Sequence, residues 1–167
     1  MLIIAQNMFV GNPWDVMDGY YPGKSLSVAA QETNPQGLAF SSDGTKAYVV
    51  GIVADTIYQY TLSTAWDIST GSYASKSLSV AAQDASPQGL AFSSDGTKAY
   101  VVGHTTDTIY QYTLSTAWDI STGSYASKSL SVAAQDDIPR SLAFSSDGTK
   151  AYVVGSTTDT IYQYHLI

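Results

Sequence analysis

Apolar and aromatic residues fall into short runs with strand character, not into helical stripes. The runs in one stretch are Gly37–Ser41 (GLAFS), Lys46–Gly51 (KAYVVG), Asp55–Leu62 (DTIYQYTL) and Lys76–Gln83 (KSLSVAAQ). Turn chemistry separates them: Asp43-Gly44 is a strong hairpin signal, and Pro87 opens the next stretch. No extended window spaces its apolar residues at i, i+3, i+4 and i+7. The first three runs carry apolar or aromatic side chains on both faces, as in Tyr48 beside Val49 and Ile57 beside Tyr58. Strands of that kind need a packed layer on each side of their sheet.

The same pattern returns along the chain. KSLSVAAQ begins at Lys24, Lys76 and Lys128, a period of 52 residues. Ser25–Lys76 and Ser77–Lys128 are complete copies, and Ser129–Ile167 is a third that stops after TIYQYHLI. Near the N-terminus PWDVMDGYYPGKS matches AWDISTGSYASKS, with IIAQNMFV standing where TIYQYTL is expected. A repeat that cannot bury its own apolar face stacks on its neighbours. Four antiparallel strands per unit, set around a circle, make a β-propeller. The expected fold is therefore all-β, a propeller of four-stranded antiparallel blades with three blades in this chain. Rings close with about four to eight blades, so a six-bladed ring from two chains is expected. In that homodimer Lys24–Gln31 of one chain completes the last blade of the other in trans. Residues 1–31 are then a partial repeat supplying a closing outer strand, 32–83 and 84–135 full blades, and 136–167 a truncated last blade.

The copies differ in few places. The first two differ at six positions: Glu32/Asp84, Thr33/Ala85, Asn34/Ser86, Ile52/His104, Val53/Thr105 and Ala54/Thr106. The third departs from the second at Asp137, Ile138, Arg140, Ser141 and Ser156, and again at His165 and Ile167. Apart from the last two, these changes sit in or beside the fourth-to-first and second-to-third connections. A meander puts both on one end of the blade. The SSDG hairpin and the AWDIST connection, on the other end, never change. Variable loops on a rigid scaffold commonly serve recognition. The expected ligand-binding face is Glu32, Thr33, Asn34, Ile52, Val53, Asp84, Ser86, His104, Thr105, Asp136, Asp137, Arg140 and Ser156.

Charge sharpens that face. The chain has 167 residues and a net charge of −7, with all six Lys at the hairpin end. The variable end carries seven acids opposed only by Arg140, which favours cations, amines or basic peptides and excludes nucleic acid as a partner. There is no Cys, so thiol chemistry and disulfides are absent. MLIIA has no basic region ahead of it, and no apolar run approaches a bilayer's thickness. No membrane partner is expected, and the compartment stays open between virion-associated and extracellular. SSDGT holds one carboxylate, too few for a calcium loop, so no metal or cofactor is expected. Trp14, Trp66 and Trp118 suit packing between blades or stacking on sugar rings. Two His and one Arg leave few acid–base sets, and His104 occurs in one copy only.

The string NPQGLAFSSDGTKAYVVG, followed by DTIYQYTLS, resembles the YVTN-type propeller repeat of surface-layer and lactonase-like proteins, with YVVG where that family has YVTN. The LSTAWDIST insertion is similar to tandem repeats of bacteriophage-tail and marine bacterial proteins. The resemblance implies the propeller fold over nearly the whole chain. It also implies a lactonase-like activity on anionic sugar lactones, for which an acidic rim with one Arg has the wrong sign. The resulting expectation is a non-enzymatic recognition module for a glycan or protein ligand. A structural ring or spacer without a ligand is the alternative, and a lactonase-like enzyme comes third.

Overall fold

The computed structural model describes residues 20–166. The partial repeat in residues 1–19 and the final Ile167 lie outside the described residues. The strands are β1 (Pro35–Phe40), β2 (Lys46–Gly51), β3 (Thr56–Leu62) and β4 (Gly71–Ser79), then β5 (Pro87–Phe92), β6 (Lys98–Gly103), β7 (Thr108–Leu114) and β8 (Gly123–Ser131), then β9 (Pro139–Phe144), β10 (Lys150–Gly155) and β11 (Ile161–His165). They form three antiparallel meanders in the orders β1-β2-β3-β4, β5-β6-β7-β8 and β9-β10-β11. The first strands of the sheets, β1, β5 and β9, lie against one another in sequence order. This is an arc of propeller blades with β1, β5 and β9 innermost.

Two-faced strands create the contacts between blades. Tyr48 of β2 is fully buried, its ring centroid 4.4 Å from that of Phe92 in the second blade. Its hydroxyl donates to the Trp118 carbonyl at 2.7 Å, so the phenol is satisfied as well as packed. The buried Gln59 side chain accepts from Ile120 N at 2.9 Å. Tyr100 meets Phe144 at 4.3 Å across the next boundary. Burying one such side chain contributes about 1.5–3 kcal/mol.

Two strands differ from the sequence-based expectation by more than a residue at an end. The outer strand starts at Gly71, not Lys76, and ends at Ser79, not Gln83. Gly71, Ser72 and Tyr73 pair with Leu62, Thr61 and Tyr60, after which the register shifts and Ser75 takes a φ of +56°. A bulge lets this polar, turn-like string stay in the ladder. Tyr73 anchors it, 5.8 Å from Tyr60 and 6.0 Å from Tyr58. The inner strand starts at Pro35, not Gly37, because a first strand residue needs no donor.

The unchanging loops interlock. Trp66 N donates to Gly44 O and Trp118 N to Gly96 O, each at 2.9 Å. Both Trp residues have positive φ, +64° and +61°, an uncommon state for a bulky residue. The indoles lie so close over the hairpin glycines that a Cβ there would fall 2.3 Å from Trp66 or 2.2 Å from Trp118. Gly44 and Gly96 also need their own φ of +70°. Hairpin and insertion can therefore change only together, which is a packing reason for their fixed letters. Trp118 also stacks on Phe92 and faces Tyr48, packing between blades.

Candidate functional site

The rim opposite the interlocked loops carries a bulge in every innermost strand. Pro35 pairs with Gly51 and Gly37 with Val50, which leaves Gln36 outside the ladder. Gln88 and Arg140 are displaced in the same way. Bulges re-aim a side chain and are common beside active sites. Arg140 Nε donates to Ser156 Oγ at 3.3 Å, and Nη1 donates to the buried Gln88 Oε1 at 3.2 Å. Gln88 Nε2 donates on to Ser86 Oγ at 3.0 Å, while Gln36 donates to Asn34 at 2.7 Å. The inner edge of this rim thus presents two amides and one guanidinium.

Glu32, Asp84 and Asp136 of the expected face are buried braces. Asp84 accepts from Ser86 N at 2.8 Å, Thr106 N at 2.9 Å and the Thr106 hydroxyl at 2.6 Å. Asp136 accepts from Ile138 N at 2.9 Å, Thr158 N at 3.0 Å and the Thr158 hydroxyl at 2.8 Å. Burial works to raise the Asp136 pKa, but these donors win and hold it below the usual carboxylate value. Glu32 accepts from Asn34 N at 2.7 Å and Ala54 N at 3.1 Å. These acids close their loops with the oxygens that a ligand would need.

Thr33, Asn34, Val53, His104, Thr105, Asp137, Arg140 and Ser156 are exposed, and Ile52 and Ser86 partly so. Asp137 accepts from the Thr157 hydroxyl, and the Ser86 carbonyl accepts from His104 N at 3.0 Å. The structure brings Ser86, Arg140 and Ser156 into one chain of hydrogen bonds through Gln88.

Two carboxylates stand apart from the braces. Asp55 and Asp107 adopt φ of +48° and +49°, and each keeps a buried Oδ1 with no hydrogen-bond partner among the described residues. An unpaired buried acceptor is costly and marks a place where something else is needed. Burial raises both pKa values. Asp84 and Glu32 push Asp55 further up; beside Asp107 the His104 ring pulls down while Asp137, Asp84 and Asp136 push up. A carboxyl moved toward neutrality suits proton transfer, and a guanidinium suits a carbonyl oxygen or an anion. Among the described residues no three His, Cys, Asp or Glu side chains converge as metal ligands would. Sequence reasoning missed Gln36 and Gln88, which sit in the repeated PQG. The available signal was the replacement of that Gln by Arg140 in the third copy.

The family model described as "Lactonase, 7-bladed beta-propeller" matches residues 22–166. The chain belongs to this lactonase propeller family. A candidate 6-phosphogluconolactonase of Bacteroides uniformis superposes with a TM-score of 0.61 at 16% identity, over 86% of this chain and 41% of that one. The periplasmic gluconolactonase of Pseudomonas aeruginosa gives 0.59 at 20% identity, over 78% of this chain and 35% of that one. The Cps50 propeller domain of Myceliophteria thermophila gives 0.56 at 12% identity, over 80% and 40%. At these identities the likeness establishes the fold alone. The chain spans about two fifths of the length of the structures it matches. No curated protein matches it.

Family membership corrects the expected function. The family match overturns the non-enzymatic recognition module, and with it the expectation of no enzyme, in favour of the lactonase family ranked third from sequence. Two physical facts account for the misreading. The fixed loops are fixed by the Trp–Gly interlock, so their constancy says nothing about the opposite rim. Three of the rim's acids are also turned inward onto backbone donors, which leaves the outer surface less acidic than a count of letters implies.

Proposed function

We propose that this chain supplies three blades of a propeller that hydrolyses a sugar lactone, with the bulged inner edge of the variable rim as its substrate end. The supporting observation is Arg140, lifted out of the β9 ladder and held by Gln88 and Ser156, on the same rim as the unpartnered Asp107 carboxylate. Lactone hydrolysis adds water to an acyl carbon and breaks the bond to the ring oxygen. Asp107 takes the proton from the attacking water, and that proton passes to the departing ring oxygen as the hydroxy acid forms. Arg140 donates to the carbonyl oxygen as negative charge builds there. Asp137, Asp136 and Asp84 around Asp107 favour a neutral lactone over a phosphorylated one. The finer kinship with YVTN-type surface-layer, phage-tail and marine bacterial repeats belongs to the same proposal, supported by YVVG and the AWDIST insertion.

The test is proton release from glucono-1,5-lactone, with and without a 6-phosphate, in a pH-stat near neutrality. Acceleration over spontaneous opening is expected, strongest on the neutral lactone. Asp107→Asn should lower kcat/KM by about a hundredfold, and Arg140→Ala by at least about tenfold, with unchanged circular dichroism. Hydrolysis no faster than the spontaneous rate would overturn the reading.

A further inference from the structure

The described segment ahead of β1 is docked like an outer strand without being laddered to any sheet among the described residues. Lys24 Nζ lies 2.6 Å from Asp67 Oδ2, as Lys76 Nζ lies 2.5 Å from Asp119 Oδ2. A Cβ on Gly71 would fall 2.7 Å from Leu26 Cδ2, and one on Gly123 the same 2.7 Å from Leu78 Cδ2. Gln31 N and Glu32 N both donate to Val28 O at 2.9 Å, matching Gln83 N and Asp84 N on Val80 O at 2.9 and 3.0 Å. Tyr60 donates its hydroxyl to Gln31 at 3.2 Å, as Tyr112 does to Gln83 at 3.1 Å. Residues 24–32 therefore stand to the first blade as the end of β4 and its turn stand to the second. One thing differs. β4 is laddered to β3, from Gln59 opposite Lys76 to Thr56 opposite Ser79, and Val80 N reaches Asp55 O at 2.8 Å. Lys24–Val28 joins no sheet among the described residues.

The complement lies at the other end of the arc. β11 is an edge strand among the described residues, with Ile161 71% exposed where its counterpart Ile57 is 0%. Val154 is 37% exposed and Val50 0%; on the first blade Leu38 is 61% exposed and Leu90 7%. Val50 and Leu90 share one core cluster with Tyr48. The open Val154 face and the open Leu38 face are thus the two halves of a contact that the molecule already makes between its own blades. An unpaired edge and an apolar face of this kind are liabilities unless covered.

We propose that a second copy of this chain covers both faces, and that Lys24–Val28 of each copy forms the outer strand on β11 of the other. The repeat fixes the register: Lys24 opposite Gln163, Ser25 opposite Tyr162, Leu26 opposite Ile161, with Val28 N donating to Asp159 O. A second copy is the occupant because the open surfaces carry the letters of the internal blade contact. Each joint is head-to-tail, and two joints related by a twofold axis close without fibre formation. The ring then has six blades, one fewer than the seven in the family's description. It carries two Arg140 residues across its axis. The assembly stands or falls independently of the lactone reading, since its test uses no activity.

Light scattering on the chain at micromolar concentration should give twice the mass of one copy. Since the chain has no Cys, a Ser25→Cys, Tyr162→Cys variant can oxidise only between the introduced residues. Opposed antiparallel positions are near enough for a disulfide, so a covalent dimer should appear on a non-reducing gel. A native mass of one copy, of three, or of an open ladder would overturn the proposal. A native dimer whose folded double variant does not crosslink would overturn the strand pairing. If the variant does not fold, the native mass decides.

Discussion

The two ends of each blade treat the same residue type in opposite ways. At the hairpin end Asp43, Asp95 and Asp147 each accept from a Ser hydroxyl, a Thr N–H and a Thr hydroxyl. Led by the Ser hydroxyl, those donors lower all three pKa values to about 2. At the other end Asp55 and Asp107 hold a buried oxygen without a donor, and burial pushes their pKa values up. The hairpin end is saturated and locked. The opposite end keeps unused hydrogen-bonding capacity and the bulged inner strands, the usual company of a chemical site. That contrast supports the variable rim as the substrate end of the proposed lactone-hydrolysing propeller, and sequence variation alone is the poorer guide.

The largest expected effect tests the lock. Gly96→Ala must carry a side chain at φ +70° and place its Cβ 2.2 Å from the Trp118 indole, which Phe92 and Tyr48 hold in place. A left-handed residue with a Cβ and an overpacked contact together cost about 3 kcal/mol. His104→Ala on the exposed rim should stay within about 0.5 kcal/mol. Urea denaturation of both variants makes the measurement. A neutral Gly96→Ala would remove the packing reason for the fixed loops.

The next effect is smaller and depends on pH. Asp43, Asp95 and Asp147 have folded pKa values lowered from 3.8 to about 2. Their contribution is present above the unfolded value and is lost as pH falls through about 4 toward 2. Asp107 has the opposite sign. Its folded pKa is raised, so its ionised form subtracts stability above the unfolded value, fully so once pH exceeds the folded one. Asp107→Asn should therefore melt higher than the parent at neutral pH and equal to it near pH 3. Asn tolerates the left-handed backbone. Melting curves across that range decide it; equal gains at both pH values would show that charge is not the cause. The stabilised variant should be the one that loses lactone hydrolysis.

Much of the fold was legible because it rests on short-range chemistry. KAYVVG is the second strand from Lys46 to Gly51 as expected, Asp-Gly makes the hairpin, and the two-faced runs require stacked sheets. The early start of β4 was hidden because Ser72, Ala74 and Ser75 look like a turn, and only Tyr73 packing on Tyr60 keeps them laddered. The site was less legible. A bulge at Gln88 leaves no mark in PQG, since it depends on register against β6. Whether an acid is a brace or a free group depends on donors from a loop about twenty residues away, as with Asp84 and Thr106.

That last pair yields the finest test of the contrast. Glu32 in the first blade and Asp84 in the second occupy the same brace, opposite Ala54 and Thr106. The longer Glu32 reaches Ala54 N at 3.1 Å, whereas the shorter Asp84 takes Thr106 N at 2.9 Å and gains the Thr106 hydroxyl at 2.6 Å. These differences between copies therefore compensate each other inside the loop. Glu32→Asp alone should cost about 1 kcal/mol, because a buried brace loses reach without a hydroxyl to replace it. Ala54→Thr alone crowds the Glu32 carboxylate and should also destabilise. The double variant rebuilds the second blade's arrangement and should return close to the parent, with a coupling of about 1 kcal/mol in a double-mutant cycle read by urea unfolding. Strictly additive costs would mean that these two positions vary independently. The packing account of the rim's variation would then fail at the place where the structure makes it most specific.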